Sequence, residues 1–120
     1  MAVEPIEQIV EQAKTAWQDG DADGFANLFL PDGELVVPGQ QWQGRSAIRQ
    51  AVLDFSSTHC QVKIEIQRIV ASGDCAVVEW IWEDVENNTG KRSHAEDAIV
   101  IDFQANQIRR WREYIDTQTS

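Results

Sequence analysis

Hydrophobic positions repeat with a helical period in the first half of the chain and with a period of two in the second. Ile6, Ile9, Val10, Ala13, Ala16 and Trp17 recur at three- and four-residue spacing, which predicts an amphipathic helix from about Pro5 to Gln18. Pro5 suits its first turn and Asp19-Gly20 its end. Asp21 is placed to cap a second, short helix with Phe25, Leu28 and Phe29 on one face, ended by the turn Pro31-Asp32-Gly33. Glu34 to Val37 reads as a short strand closed by Pro38-Gly39. After Trp42, a third helix near Ser46 to Ser56 presents Ile48, Val52 and Phe55 on one side.

From Cys60 onward the pattern is that of strands. Cys60, Val62, Ile64 and Ile66 alternate with polar residues, a Gly73-Asp74 turn leads into Cys75 to Glu86, and Asn87-Asn88-Thr89-Gly90 turns the chain again. The last hairpin joins Ala95–Phe103 to Gln107–Asp116 across Gln104-Ala105-Asn106, where a left-handed backbone suits Asn106. Helices gathered at one end and meander strands at the other imply one α+β domain over residues 1–120: a curved antiparallel sheet folded over its helices.

The hairpin also carries the candidate chemistry. Asp97 shares parity with Ala95, Ile99, Ile101 and Phe103, and Glu113 shares parity with Trp111. A carboxylate on an apolar face demands a partner or a changed protonation state. Five tryptophans in 120 residues is a heavy load, and Trp80 and Trp82 lie on one face of their strand. Buried indoles need acceptors for their N–H groups, and Asp97 and Glu113 are placed to be those acceptors. Two readings of the tryptophans stand: packed core, or a surface on which a ligand stacks. Glu113 likewise serves either a pocket or a structural hydrogen bond or ion pair with a neighbouring arginine.

Charge narrows the partners. Ten basic against twenty acidic residues give a net charge of −10, which repels phosphate backbones and anionic lipid, so neither nucleic acid nor membrane is expected. Cys60 and Cys75 have no metal-ligand spacing and read as small strand hydrophobes, and His59 and His94 pair with no nucleophile. No metal and no cofactor is expected. Met1 to Pro5 carries neither a basic leader nor an apolar segment, and no apolar run approaches the roughly 20 residues of a membrane span. The expectation is a soluble cytoplasmic protein.

Trp17-Gln18-Asp19-Gly20-Asp21, Phe25-Ala26-Asn27-Leu28-Phe29, Asp32-Gly33, Gly44-Arg45-Ser46-Ala47-Ile48 and the closing Ile108 to Asp116 follow one another in an order that resembles the nuclear transport factor 2-like superfamily, in particular its SnoaL-like branch. The resemblance implies a cystatin-like α+β roll, a cone whose sheet wraps the helices and whose open end is an apolar pocket. The superfamily hosts isomerases, cyclases, hydrolases and non-catalytic binders, so fold alone does not decide function.

Two of its enzyme families are testable residue by residue. Trp111-Arg112-Glu113-Tyr114-Ile115-Asp116 resembles the closing run of limonene-1,2-epoxide hydrolases, and Glu113 keeps that family's carboxylate. The Arg and Asp that complete the site match Trp80 and Trp82, and the Tyr and Asn that hold the water match Leu35 and Val37, so epoxide hydrolysis lacks its machinery. The base, Tyr donor and protonated Asp of ketosteroid isomerases fall near Val37, Ala13 and Ile99, all apolar, so enolisation has nothing to drive it. A polyketide-cyclase-like step needs only one carboxylate and a shaped cavity.

The expected protein is a small-molecule pocket protein for a hydrophobic or aromatic ligand. Asp97 and Glu113 are its catalytic candidates, and Trp17, Leu35, Val37, Trp42, Trp80, Trp82, Ile99 and Trp111 its lining. The alternatives are a one-carboxylate isomerase, cyclase or lyase on a hydrophobic substrate, and a non-catalytic interaction protein with a vestigial pocket. Val77, Glu79 and Ile81, with Ala98 and Val100, are expected to face outward and to form a two-fold homodimer through the convex sheet.

Overall fold

A computed structural model describes residues 3–118. The order is α1 (Val3–Asp19), α2 (Ala22–Ala26), β1 (Phe29–Val37), β2 (Gln40–Gln43), α3 (Arg45–Thr58), β3 (His59–Ser72), β4 (Cys75–Glu86), β5 (Arg92–Gln104) and β6 (Gln107–Gln118). The six strands form one curved, unclosed sheet in the order β2-β1-β6-β5-β4-β3. Neighbours are antiparallel except β1 and β6, which run parallel. Asp21 caps α2 as expected, its carboxylate accepting from the Gly24 amide at 2.9 Å.

The N-terminal half departs from the local pattern at one place. Phe29 is the first residue of β1, and Pro31-Asp32-Gly33 lies within that strand instead of ending a helix. The pairing with β6 jumps from Phe29–Ile108 to Glu34–Arg110, so the intervening residues form a bulge. Tertiary packing decides this: Phe29 is fully buried with its ring 5.2 Å from that of Phe25. A Cβ at Gly33 would lie 3.0 Å from the Ile108 carbonyl oxygen, so the strand passes β6 only because that side chain is missing.

The second half follows its alternation. Ala95, Asp97, Ile99, Ile101 and Phe103 are all buried, and the β5–β6 turn puts Asn106 at φ 62° beside Ala105 at φ 51°. Cys60 is exposed, contrary to its reading as a strand hydrophobe, and Cys75 is half-buried. The reason is a bulge at the start of β3, where Gln61 takes a positive φ of 54° and the pairing with β4 skips from Cys60 to Lys63.

Aromatic rings fill the space between helices and sheet. Trp80, Trp111, Phe25 and Phe29 are each at most 1% exposed. Trp111 lies 5.3 Å from Phe25 and 5.7 Å from Trp80, in edge-on and tilted contacts. Each such buried ring contributes on the order of 1.5–3 kcal/mol through the apolar area removed from water. On the convex face Val70, Val77, Val100, Arg112 and Val36 lie in one register row across β3, β4, β5, β6 and β1. Among the described residues no helix is long and apolar enough to cross a membrane.

Candidate functional site

Strand parity places three carboxylates on the concave face. β4 presents Trp80, Trp82 and Asp84 there, β5 presents Ala95, Asp97 and Ile99, and β6 presents Trp111, Glu113 and Ile115. In register, Asp97 stands between Trp80 and Ile115, while Glu113 stands opposite Ile99. Asp97 and Glu113 are therefore diagonal neighbours on adjacent strands.

Each of the three carboxylates accepts a hydrogen bond from an indole. Trp80 Nε1 donates to Asp97 Oδ2 at 3.0 Å, Trp111 Nε1 to Glu113 Oε1 at 3.2 Å, and Trp82 Nε1 to Asp84 Oδ2 at 2.7 Å. An indole satisfies only one oxygen. Asp97 and Asp84 are 6% and 7% exposed, and the Oδ1 atom of each is buried without a hydrogen-bond partner. Such an atom has lost its water and gained nothing in return.

Protonation follows from these surroundings. Burial raises the Asp97 carboxyl to about 6, against the weaker opposing effect of the Trp80 hydrogen bond. Burial raises Glu113 to about 8, the charge of Asp97 adds to the rise, and the Trp111 hydrogen bond opposes it. Near neutral pH Glu113 holds its proton and Asp97 is mostly ionised, an acid and a base side by side whose titration belongs to the pair. The arrangement can deliver a proton to one atom of a ligand and accept one from another.

The remaining predicted lining falls into two groups. Leu35 and Ile99 are buried beside the pair, Val37 is half-buried at the end of β1, and Trp42 stands half-buried opposite Leu35 on β2. Trp17 and Trp82 lie apart from these. Their rings are 5.4 Å from each other and both meet Phe55, which in turn stacks on His59 at 4.4 Å. Trp17 Nε1 is buried without a partner. Trp17 thus meets Trp82 edge-on and Trp80 meets Trp111 at a tilt. One cleft of about 410 Å³ lies between α1 and α2, lined by residues such as Glu11, Gln12 and Leu28, and another of about 490 Å³ lies between α1 and β3, lined by Glu7 and Ile69 among others; neither includes a predicted site residue.

Asp84 was missed by sequence reasoning, although its parity with Trp80 and Trp82 is the signal that finds it. His94 faces Glu83 at 3.5 Å at the surface. Among the described residues no group of three or more His, Cys, Asp or Glu side chains is arranged to hold a metal ion.

An open curved sheet closed over by helices, with carboxylates rising among apolar side chains on its inner strands, defines an α+β roll of the nuclear transport factor 2-like class. Within that class the chain belongs to the SnoaL-like domain family, which matches residues 10–111. No curated protein matches the chain. Among solved structures, a hypothetical protein with a ketosteroid isomerase-like fold from Catenulispora acidiphila, in complex with trimethylamine, is similar at a TM-score of 0.83, with 19% identity over 88% of this chain and 83% of that one. TsrD from Streptomyces laurentii is similar at 0.85, with 16% identity over 97% and 91%. An LEH-like epoxide hydrolase from M. tuberculosis is similar at 0.78, with 20% identity over 91% and 80%. At these identities the likeness is one of fold.

Proposed function

We propose that the chain is a small-molecule protein whose ligand site is the Asp97–Glu113 pair, receiving a hydrophobic or aromatic compound at the concave mouth and acting on it by acid–base chemistry. The observation that carries this reading is the unpartnered Asp97 Oδ1, buried on the same face as Glu113 and held in place by Trp80. Most buried carboxylate oxygens are hydrogen-bonded, and this one leaves an acceptor free. In an isomerisation, Glu113 gives its proton to an oxygen of the substrate while Asp97 takes one from carbon, so the proton count of protein plus substrate is unchanged.

Epoxide hydrolysis, and enolisation by the residue set that ketosteroid isomerases use, stay disfavoured; the Asp97–Glu113 pair would be a different acid–base set. The positions where those families carry polar groups hold buried or half-buried apolar side chains here, among them Leu35, Val37, Ala13 and Ile99. The Catenulispora protein of similar fold has a small amine bound, which supports use of this fold by small molecules. The test is an amide NMR titration with a panel of small aromatic alcohols, ketones and amines. The indole N–H signals of Trp80 and Trp111 shift saturably with at least one compound and lose the response in Asp97→Asn. A panel that moves neither signal overturns the reading.

A second reading has its own support. The packed rings of Trp80, Trp111, Phe25 and Phe29 leave the deep end of the cone filled, as a protein working through its outer surface requires. On that surface Val70, Val77 and Tyr114 are 48%, 39% and 52% exposed. We propose that this surface seats a second copy in a two-fold dimer.

A further inference from the structure

We infer that the concave mouth is built for a cationic amine carried on an apolar body, with Asp97 and Glu113 as its counter-charges and Ile115 as the seat for the body. This deepens the proposed function and rests on it. Three observations carry it. First, Asp84, Asp97 and Glu113 all point to one face, and Asp97 and Asp84 each keep a buried oxygen that accepts no hydrogen bond. A protonated amine brings the missing N–H donor together with the missing charge.

Second, among the described residues no basic side chain forms an ion pair with either member of the pair. Asp97 meets Trp80 from β4, Glu113 from the diagonal position on β6, and the apolar Ile115 opposite. Beside Glu113, β1 offers Val37. The helices give the interior apolar side chains such as Val10, Ala13, Ile48 and Val52. The arginines nearest in sequence are engaged elsewhere: Arg110 on Glu34 at 3.2 Å, and Arg112 over the Tyr114 ring at 4.7 Å. Only burial, the neighbouring carboxylate and an indole hydrogen bond act on Glu113. An entering cation supplies the compensation the fold lacks, and Glu113 then releases its proton to solvent.

Third, the pair lies next to an exposed apolar side chain. Ile115 is 39% exposed although it shares the concave parity, directly opposite Asp97 and two residues beyond Glu113. The residue that separates Asp97 from solvent on this side is therefore apolar and itself partly exposed. The Asp97 charge repels an anion, and a neutral ligand leaves that charge unpaired.

The test is isothermal titration calorimetry of the full chain with benzylamine, benzyl alcohol and phenylacetate, in buffers of different ionisation enthalpy. Benzylamine binds at least about tenfold more tightly than benzyl alcohol near neutral pH. It releases close to one proton, and phenylacetate does not bind. Ile115→Lys, at an exposed position that tolerates a long side chain, places an ammonium on the pair and abolishes amine binding; Asp97→Asn removes the preference over the alcohol. Alcohol binding equal to or tighter than amine binding, with the Trp80 indole signal responding, overturns this inference and leaves the proposed function standing. Amine binding unchanged in both variants assigns the attraction to the net charge and overturns it as well. If none of the three probes binds at millimolar concentration, the inference and the aromatic-ligand reading fall together.

Discussion

The carboxylates of the two sheet faces have different partners. On the convex face and at its edges Glu34 meets Arg110 at 3.2 Å, Glu79 meets Arg68 at 4.0 Å and Glu83 meets His94 at 3.5 Å, all with water at hand. On the concave face Asp97, Asp84 and Glu113 meet only indoles. An arginine neutralises a carboxylate and fixes it as an anion, whereas an indole donates one hydrogen bond and leaves the charge uncompensated. The same residue type, one position further along a strand, meets either a basic side chain at the surface or an indole in the interior.

The largest expected effect comes from removing the rings that keep water from the concave carboxylates. Trp111→Ala, at a fully buried position, is expected to cost about 3–5 kcal/mol in denaturant unfolding. Trp80→Phe keeps most of the packing and isolates the hydrogen bond to Asp97, so a loss of about 1–3 kcal/mol is expected. A loss below this in Trp80→Phe would show that the indole contributes area alone.

Removing the acids themselves is expected to act in the opposite direction. Asp97 and Glu113 are raised to about 6 and about 8 in the fold, from ordinary values of 3.8 and 4.5. The unfolded chain therefore gives up these protons first, and stability falls as pH rises from about 4 through about 8. Glu113→Gln flattens that decline and is expected to stabilise the protein above the raised value by about 2 kcal/mol, allowing for partial exposure. A variant whose pH profile of unfolding overlays the wild type would contradict the assignment.

On the convex face the matching change is small. Arg68→Ala, which removes an exposed partner of Glu79, is expected to shift stability by less than about 1 kcal/mol. Val77→Lys is expected to leave the fold intact and convert a dimer to a monomer by light scattering at micromolar concentration. A wild-type monomer under the same conditions removes the dimer proposal.

What the sequence disclosed and what it withheld divide along the range of the contacts. The last hairpin is local, its parity rule needs no knowledge of the rest of the fold, and the inward positions of Asp97 and Glu113 followed from it. Only the last four residues of β1 were legible, because its start is set by the distant pairing of Phe29 with Ile108 on β6 and by the bulge that follows. The exposure of Cys60 depends on a bulge at Gln61 that no turn residue announces. The packing of five tryptophans against one another or against a ligand was open in the sequence, since parity gives a face but not what covers it. Asp84 was legible by the rule that found Asp97, but it sits in an acidic stretch with Glu83 and Glu86, where a solvated end of strand is the ordinary reading.

The central claim is that a half-buried acid, Glu113, and a buried base, Asp97, share the concave face. Carboxyl NMR titration of the wild type, assigned with Asp97→Asn and Glu113→Gln, tests it most directly. Two interior carboxyl signals are expected with apparent midpoints near about 6 and about 8, the upper one moving down when Asp97 is replaced. Both signals titrating near their ordinary values of 3.8 and 4.5 would contradict it.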